Sequence, residues 1–198
     1  MSGFLDVISK GGPVIIPLAV CSVAAVAILA ERLWWLHRTR RQTDRLVEAL
    51  ETEATSTREE ILRVCADSRS PLGRVIRAAT EGREQPSLSA AERQGAEEAR
   101  RIEGRLPAVD AIVTLAPLLG LLGTITGMIR SFSVLEISRG DSPFAVTGGI
   151  AEALITTAAG LIVAVVAFSG YVWCQHVMEY EVHRVETVAG EVLERMRS

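Results

Sequence analysis

The sequence predicts an all-α integral membrane protein with three transmembrane helices, the second and third extended into the cytoplasm as long helices, assembled as an oligomeric ring. Composition is the first observation behind this. Hydrophobic residues make up 48% of the chain and mean hydropathy is +0.27, yet 23% of residues are charged. Such a mixture indicates a few apolar spans beside a polar domain, not one evenly amphipathic globule. Next, three stretches reach the ~20 residues needed to cross ~30 Å of hydrocarbon. Finally, small residues recur every three or four positions along the last two stretches, a pattern that marks close helix–helix contact in lipid.

Residues 1–12 form a segment outside the membrane and residues 13–36 the first span, uncharged from Pro13 to Ala30 and closed by Trp34 and Trp35 at headgroup level. Ala25-Val26-Ala27 resembles a signal-peptide cleavage site. It lies inside the apolar run, however, with only Lys10 as a basic residue before it and arginines directly after, so the span is read as retained. Arg32, Arg38, Arg40, Arg41 and Arg45 put residues 37–105 in the cytoplasm by the positive-inside rule.

That cytoplasmic segment reads as helical throughout. Leu46, Val47 and Leu50 form one apolar stripe, and Ile61, Leu62, Val64 and Cys65 another. Ser70-Pro71 starts a helix with Leu72, Val75, Ile76 and Ala79 on one face. Ser89 with Glu92 forms a capping box that opens a long helix. Only Pro107 and Pro117 interrupt its path into the second span, kinking the helix without ending it.

The second span is 106–130, the outer loop 131–143 and the third span 144–175. The C-terminal helix 176–198 is again cytoplasmic, its apolar residues interleaved with charges. A cysteine placed at Ser138 should therefore be reachable from outside and one at Ser56 should not.

Motifs for enzyme chemistry are nearly absent. Cys21, Cys65 and Cys174 are scattered with no partnered histidines, so neither zinc nor a disulfide framework is indicated. No metalloprotease, P-loop or nucleophile-elbow pattern occurs. The arginine-rich segment carries many acids and the net charge is -3, which argues against nucleic acid as a partner. Most of those charges read as solvated helix faces.

What remains lies inside the spans. Glu152 is a carboxylate in an apolar stretch, and a charge at the centre of a span costs roughly 2.5–3.5 kcal/mol on insertion scales. It either snorkels to the interface from two turns inside the helix, or faces a protein interior and serves ion movement or subunit packing. Gly120, Gly123, Thr124 and Gly127 on the second span, and Gly149, Ala153, Thr156, Thr157 and Gly160 on the third, form small-residue stripes with hydroxyls among them. Gly120, Gly123, Gly127, Gly149, Ala153 and Gly160 are the packing candidates. Thr124, Thr156, Thr157 and Glu152 are the candidate pore-lining and proton-pathway residues, although a threonine can also simply bond back to its own helix. Helices with such stripes cannot satisfy their packing alone, which predicts a homo-oligomer. The first span has no comparable set and is expected at the periphery, facing lipid.

These residues carry a resemblance. A-P-L-L-G-L-L-G-T-I-T-G-M at 116–128 and G-I-A-E-A-L-I-T-T-A-A-G-L at 149–161 resemble the second and third membrane helices of the ExbB/TolQ/MotA proton-channel family. G-G-P-V-I-I-P-L, with E-R-L at 31–33, is similar to the first helix of its ExbB and TolQ members. The resemblance covers essentially the whole chain. It is nearer to ExbB or TolQ than to the flagellar branch, and the short chain and compact tail favour ExbB.

The resemblance implies a pentamer in the bacterial inner membrane, N-terminus periplasmic and C-terminus cytoplasmic. Its second and third helices would line a pore that holds single-span partners of ExbD or TolR type. A partner aspartate carries the proton beside the family threonines, and motion passes through TonB or TolA to the outer membrane. No cofactor is implied beyond protons as the driving ion, and a bound phospholipid is compatible. By motif, Thr124 and Thr157 match the family threonines and Glu152 the family glutamate. Thr156 stands where many relatives have alanine. A non-conducting scaffold for a partner helix is the reading from a different class.

Overall fold

The computed structural model describes residues 12–52, 58–82, 85–137 and 143–197, and in these it is all helical. The helices are α1 (Ile15–Thr52), α2 (Arg58–Asp67), α3 (Pro71–Thr80), α4 (Leu88–Glu103), α5 (Leu106–Ile137) and α6 (Pro143–Arg195). Three of them, α1, α5 and α6, are long and apolar enough to cross a membrane. Residues 1–11, residues 138–142 of the expected outer loop (with Ser138) and Ser56 lie outside the described residues; residues 131–137, expected in that loop, continue the α5 helix. The chain divides into two units, one of residues 12–30 with Arg105–Val172 and the other of Glu31–Gly104 with residues 173–197.

The second unit is a helical bundle around an apolar core. Leu46 and Leu50 of α1, Ile61 and Cys65 of α2, and Leu72, Val75, Ile76 and Ala79 of α3 form one core with Val185, Ala189, Val192 and Leu193 of α6. The expected stripes are thus the buried ones. Ser70 caps α3, its Oγ accepting from the Gly73 amide at 3.1 Å, with Pro71 in the first turn. Ser70→Ala should cost about 1 kcal/mol of stability, measurable as a lower melting midpoint.

Two expectations fail in this unit. Helix α4 starts one residue before Ser89, at Leu88 with Ser87 as cap residue and no side-chain cap bond, so the Ser89–Glu92 capping box does not form. Nor does α4 run on into the second span. It ends at Gly104, whose φ of +53° suits glycine, and α5 begins at Leu106 with Pro107 in its first turn, where proline is tolerated. Arg32 seals this break: it donates to the Arg101 carbonyl at 3.4 Å, and a Cβ on Gly104 would lie 2.0 Å from its Nη1. The unbroken helices that extend beyond the apolar stretches are therefore α1 and α6, not the second span.

The charges here are also less solvated than expected. Arg32, Glu98 and Glu181 are buried. Glu98 is held by Arg74, Nε to Oε1 at 2.7 Å, and by Gln94 at 3.0 Å. Glu181 has Arg40 at 3.3 Å but, among the described residues, no hydrogen-bond partner for either oxygen. Burial raises its carboxyl above the usual range; Arg184 and Arg40 pull it back and Asp44 adds to the rise. The folded chain thus holds this proton more tightly than the unfolded one. Its contribution to stability is greatest at low pH and is lost as pH climbs through the raised value.

In the first unit, Leu18 of α1 packs with Ala116 of α5 and Ala164 of α6, and Leu29 lies against Gly170. Its outward faces are apolar: Ile16, Val20 and Val23 on α1, Leu118, Leu122 and Ile125 on α5, and Leu154, Leu161, Val165 and Phe168 on α6 are all exposed. Such a surface is untenable in water and is the face a bilayer or a neighbouring copy covers.

Candidate functional site

The small-residue stripes face each other along α5 and α6. A Cβ on Gly123 would lie 2.3 Å from Thr156 Cγ2, one on Gly127 2.9 Å from both Ala153 Cβ and the Gly149 carbonyl, and one on Gly160 2.6 Å from the Ala116 carbonyl. Gly120 meets the backbone of Thr157 at 3.2 Å and Gly149 meets Ser131 Oγ at 2.1 Å by the same measure. At Gly127 and Gly160 an added side chain would meet backbone atoms and force the helices apart, whereas at Gly123 and Gly149 it would first meet the side chains of Thr156 and Ser131. The numbers of facing residues rise on one helix as they fall on the other, as antiparallel packing requires.

All six packing candidates (Gly120, Gly123, Gly127, Gly149, Ala153 and Gly160) lie at the α5–α6 contact within one chain, so the stripes do not by themselves require a second copy.

The hydroxyls divide into two kinds. Thr157 Oγ1 donates to the Gly120 carbonyl of α5 at 2.9 Å, a bond between helices. Thr156, fully buried, donates to the Glu152 carbonyl of its own helix at 2.9 Å and turns its methyl onto Gly123. Thr124, half-buried, donates to the Leu121 carbonyl of its own helix at 2.6 Å. Thr157 faces Gly120, about one helical turn along α5 from Thr124, and the two hydroxyls point to different carbonyls.

Glu152 is neither alone nor deep within the pair. Arg130 Nη1 donates to its Oε1 at 3.0 Å, and its carboxylate lies against Gly12, which precedes the first turn of α1. Arg130 and Gly12 were not singled out from sequence, whereas Ser131 belongs to the small-residue set read on the second span. The register gives the missing signal: aligning the two stripes antiparallel sets Arg130 opposite Glu152 and Ser131 opposite Gly149. Ser131 is buried and donates to the Gly127 carbonyl at 3.0 Å. Among the described residues no group of His, Cys, Asp or Glu could hold a metal ion.

Three long apolar helices, two of them zipped through glycines and joined by a hydroxyl bond and an ion pair, define a multi-pass membrane protein built for tight helix association. The chain belongs to the MotA/TolQ/ExbB proton channel family, whose pattern matches residues 67–187. It is 37% identical over 82% of its length, and 67% of the relative's, to the ExbB-like biopolymer transport protein 1 of Synechocystis sp.. A second protein of that organism, ExbB-like 3, is 33% identical over 78% of this chain and 77% of its own. The Tol-Pal system protein TolQ of Haemophilus influenzae is 36% identical over 37% of this chain and 32% of its own. The family is one of proton channels and transport energisers, not an enzyme class, and membership supports a general energiser role.

Proposed function

We propose that this chain is the inner-membrane proton-channel or stator subunit of an ExbB-type energiser. With an ExbD/TolR-type single-span partner it converts proton motive force into mechanical work, passed through a TonB/TolA-type protein to outer-membrane transport. The observation that carries this is the Thr157 hydroxyl bonded to the Gly120 carbonyl between two glycine-zipped spans, with the Thr124 hydroxyl about one turn further along α5 and Glu152 already engaged by Arg130. Hydroxyls there can solvate an acid that arrives from elsewhere in either protonation state without adding a fixed charge. One charge crossing 100 mV gains about 2.3 kcal/mol, enough to bias a conformational step.

The exposed apolar faces of α5 and α6 are the surfaces on which copies would meet, five of them by analogy with the family. The N-terminus would face the periplasm and residues 37–105 and 176–198 the cytoplasm, which accessibility of cysteines at Ser138 and Ser56 tests directly. A TolQ-type subunit of the Tol-Pal envelope system is the second reading, favoured by the similarity to TolQ proteins. The experiment is proton flux into liposomes holding this protein purified with its partner. A membrane potential should drive proton uptake, and none from an intact complex would leave a non-conducting scaffold. Complementation of strains lacking either system then separates TonB-linked from Tol-Pal service.

A further inference from the structure

We propose that Arg130, Glu152 and the Gly12 turn form a latch joining the three membrane spans, in which Glu152 is a fixed anion that positions the helices and not an ion carrier. Two contacts converge on this carboxylate. Arg130 of α5 donates to Oε1 at 3.0 Å across the helix pair. Gly12 has a φ of +65°, and a Cβ there would lie 1.9 Å from Glu152 Oε1, 3.0 Å from its carboxyl carbon and 3.6 Å from Arg130 Nη1. The start of α1 therefore comes in over the ion pair only because position 12 has no side chain. Gly12 also opens the first turn of α1, its carbonyl accepting from the Ile15 amide at 3.2 Å. The carboxylate thus sits where a helix start presents its positive end.

The backbone of the same residue borders the zipper: the Glu152 carbonyl accepts from Thr156 Oγ1, and Thr156 is the side chain that fills the space over Gly123. A carrier must exchange partners as its ion moves, whereas this group is clamped from two helices. The assignment of Glu152 as a non-carrier rests on the channel reading; the latch itself does not.

The test is a double-mutant cycle of Arg130→Gln and Glu152→Gln in the full-length protein with its partner, read by melting midpoint and by proton flux into liposomes. Each single change should lower the midpoint by a similar amount, and the pair should lower it no further. Flux should fall to the same fraction of wild type in both single variants. Gly12→Ala should lower the midpoint more in the wild-type background than with Glu152→Ala, where the space is open; the φ strain is common to both.

Additive losses in the cycle, or equal effects of Gly12→Ala in the two backgrounds, would overturn the latch. Flux lost in Glu152→Gln but kept in Arg130→Gln would make Glu152 a carrier after all. Absence of flux from the wild-type complex would sink the channel reading alone, since the midpoints still decide the latch.

Discussion

Gly160→Leu should destroy the α5–α6 pair, and the single methyl of Gly160→Ala should already lower the melting midpoint. The added Cβ would lie 2.6 Å from the Ala116 carbonyl oxygen and 3.0 Å from Gly120 Cα. Both are backbone atoms, so no change of rotamer relieves the clash and the helices have to separate. Overpacking of this kind costs typically 1–3 kcal/mol, and a leucine here exceeds that range. Gly123→Ala should be milder, because its nearest neighbours are side-chain atoms of Thr156.

Gly148→Ala is the control. Nothing lies within 4 Å of its Cβ, and alanine in a helix is favoured over glycine by roughly 0.5–1 kcal/mol, so the midpoint should hold or rise. Val23→Leu, on an exposed face of α1, should also be tolerated. The loss at Gly160 is internal to one chain. It should therefore appear in protomers kept apart by excess detergent as well as in any assembly. An unchanged midpoint for Gly160→Ala in both states would show that α5 and α6 do not pack as described.

That prediction differs from what the stripes alone suggest, and the difference shows where sequence reading stops. Small residues every three or four positions announce that a helix will approach something closely. They do not say whether the partner is in the same chain. The choice is made by the antiparallel register: Gly120 with Thr157, Gly123 with Thr156 and Gly127 with Ala153 cannot all match another copy and also match each other. The same register brings Arg130 to Glu152, a pairing that neither helix shows when read by itself.

The bundle core was more legible. Leu72, Val75, Ile76 and Ala79 are buried because the 3.6-residue period leaves no other face for them. Gly104 was harder to read, since a glycine inside a helical pattern only weakly signals a break. What makes it one is a positive φ together with the Arg32 guanidinium in the space a side chain would take. The buried Glu98 and Glu181 had no signal in the chain at all, since a glutamate on a polar helix face looks the same whether it meets water or an arginine from a distant helix.

Thr157→Val should abolish energy-dependent function and leave the folded protein intact. The magnitudes decide this. Thr157 Oγ1 donates to the Gly120 carbonyl at 2.9 Å, and hydrogen bonds between helices within a membrane average about 0.6 kcal/mol, with a maximum near 1.7. Valine keeps the shape, so the glycine contacts of the helix pair survive and the midpoint should move only slightly. A large loss of flux with a small loss of stability then assigns the hydroxyl to the path and not to packing.

Thr124→Val should act in the same direction, less severely and with even less effect on stability, because its hydroxyl bonds only its own helix. Thr156→Val provides the contrast: its hydroxyl is also turned back on its own helix, but its buried methyl side faces Gly123, so flux should be close to wild type. Proton flux and melting midpoint measured on the same preparations separate the three. Full flux from the Thr124→Val/Thr157→Val double variant with partner bound would reduce both hydroxyls to helix glue, and the proton would then need a path that does not pass this level of the spans.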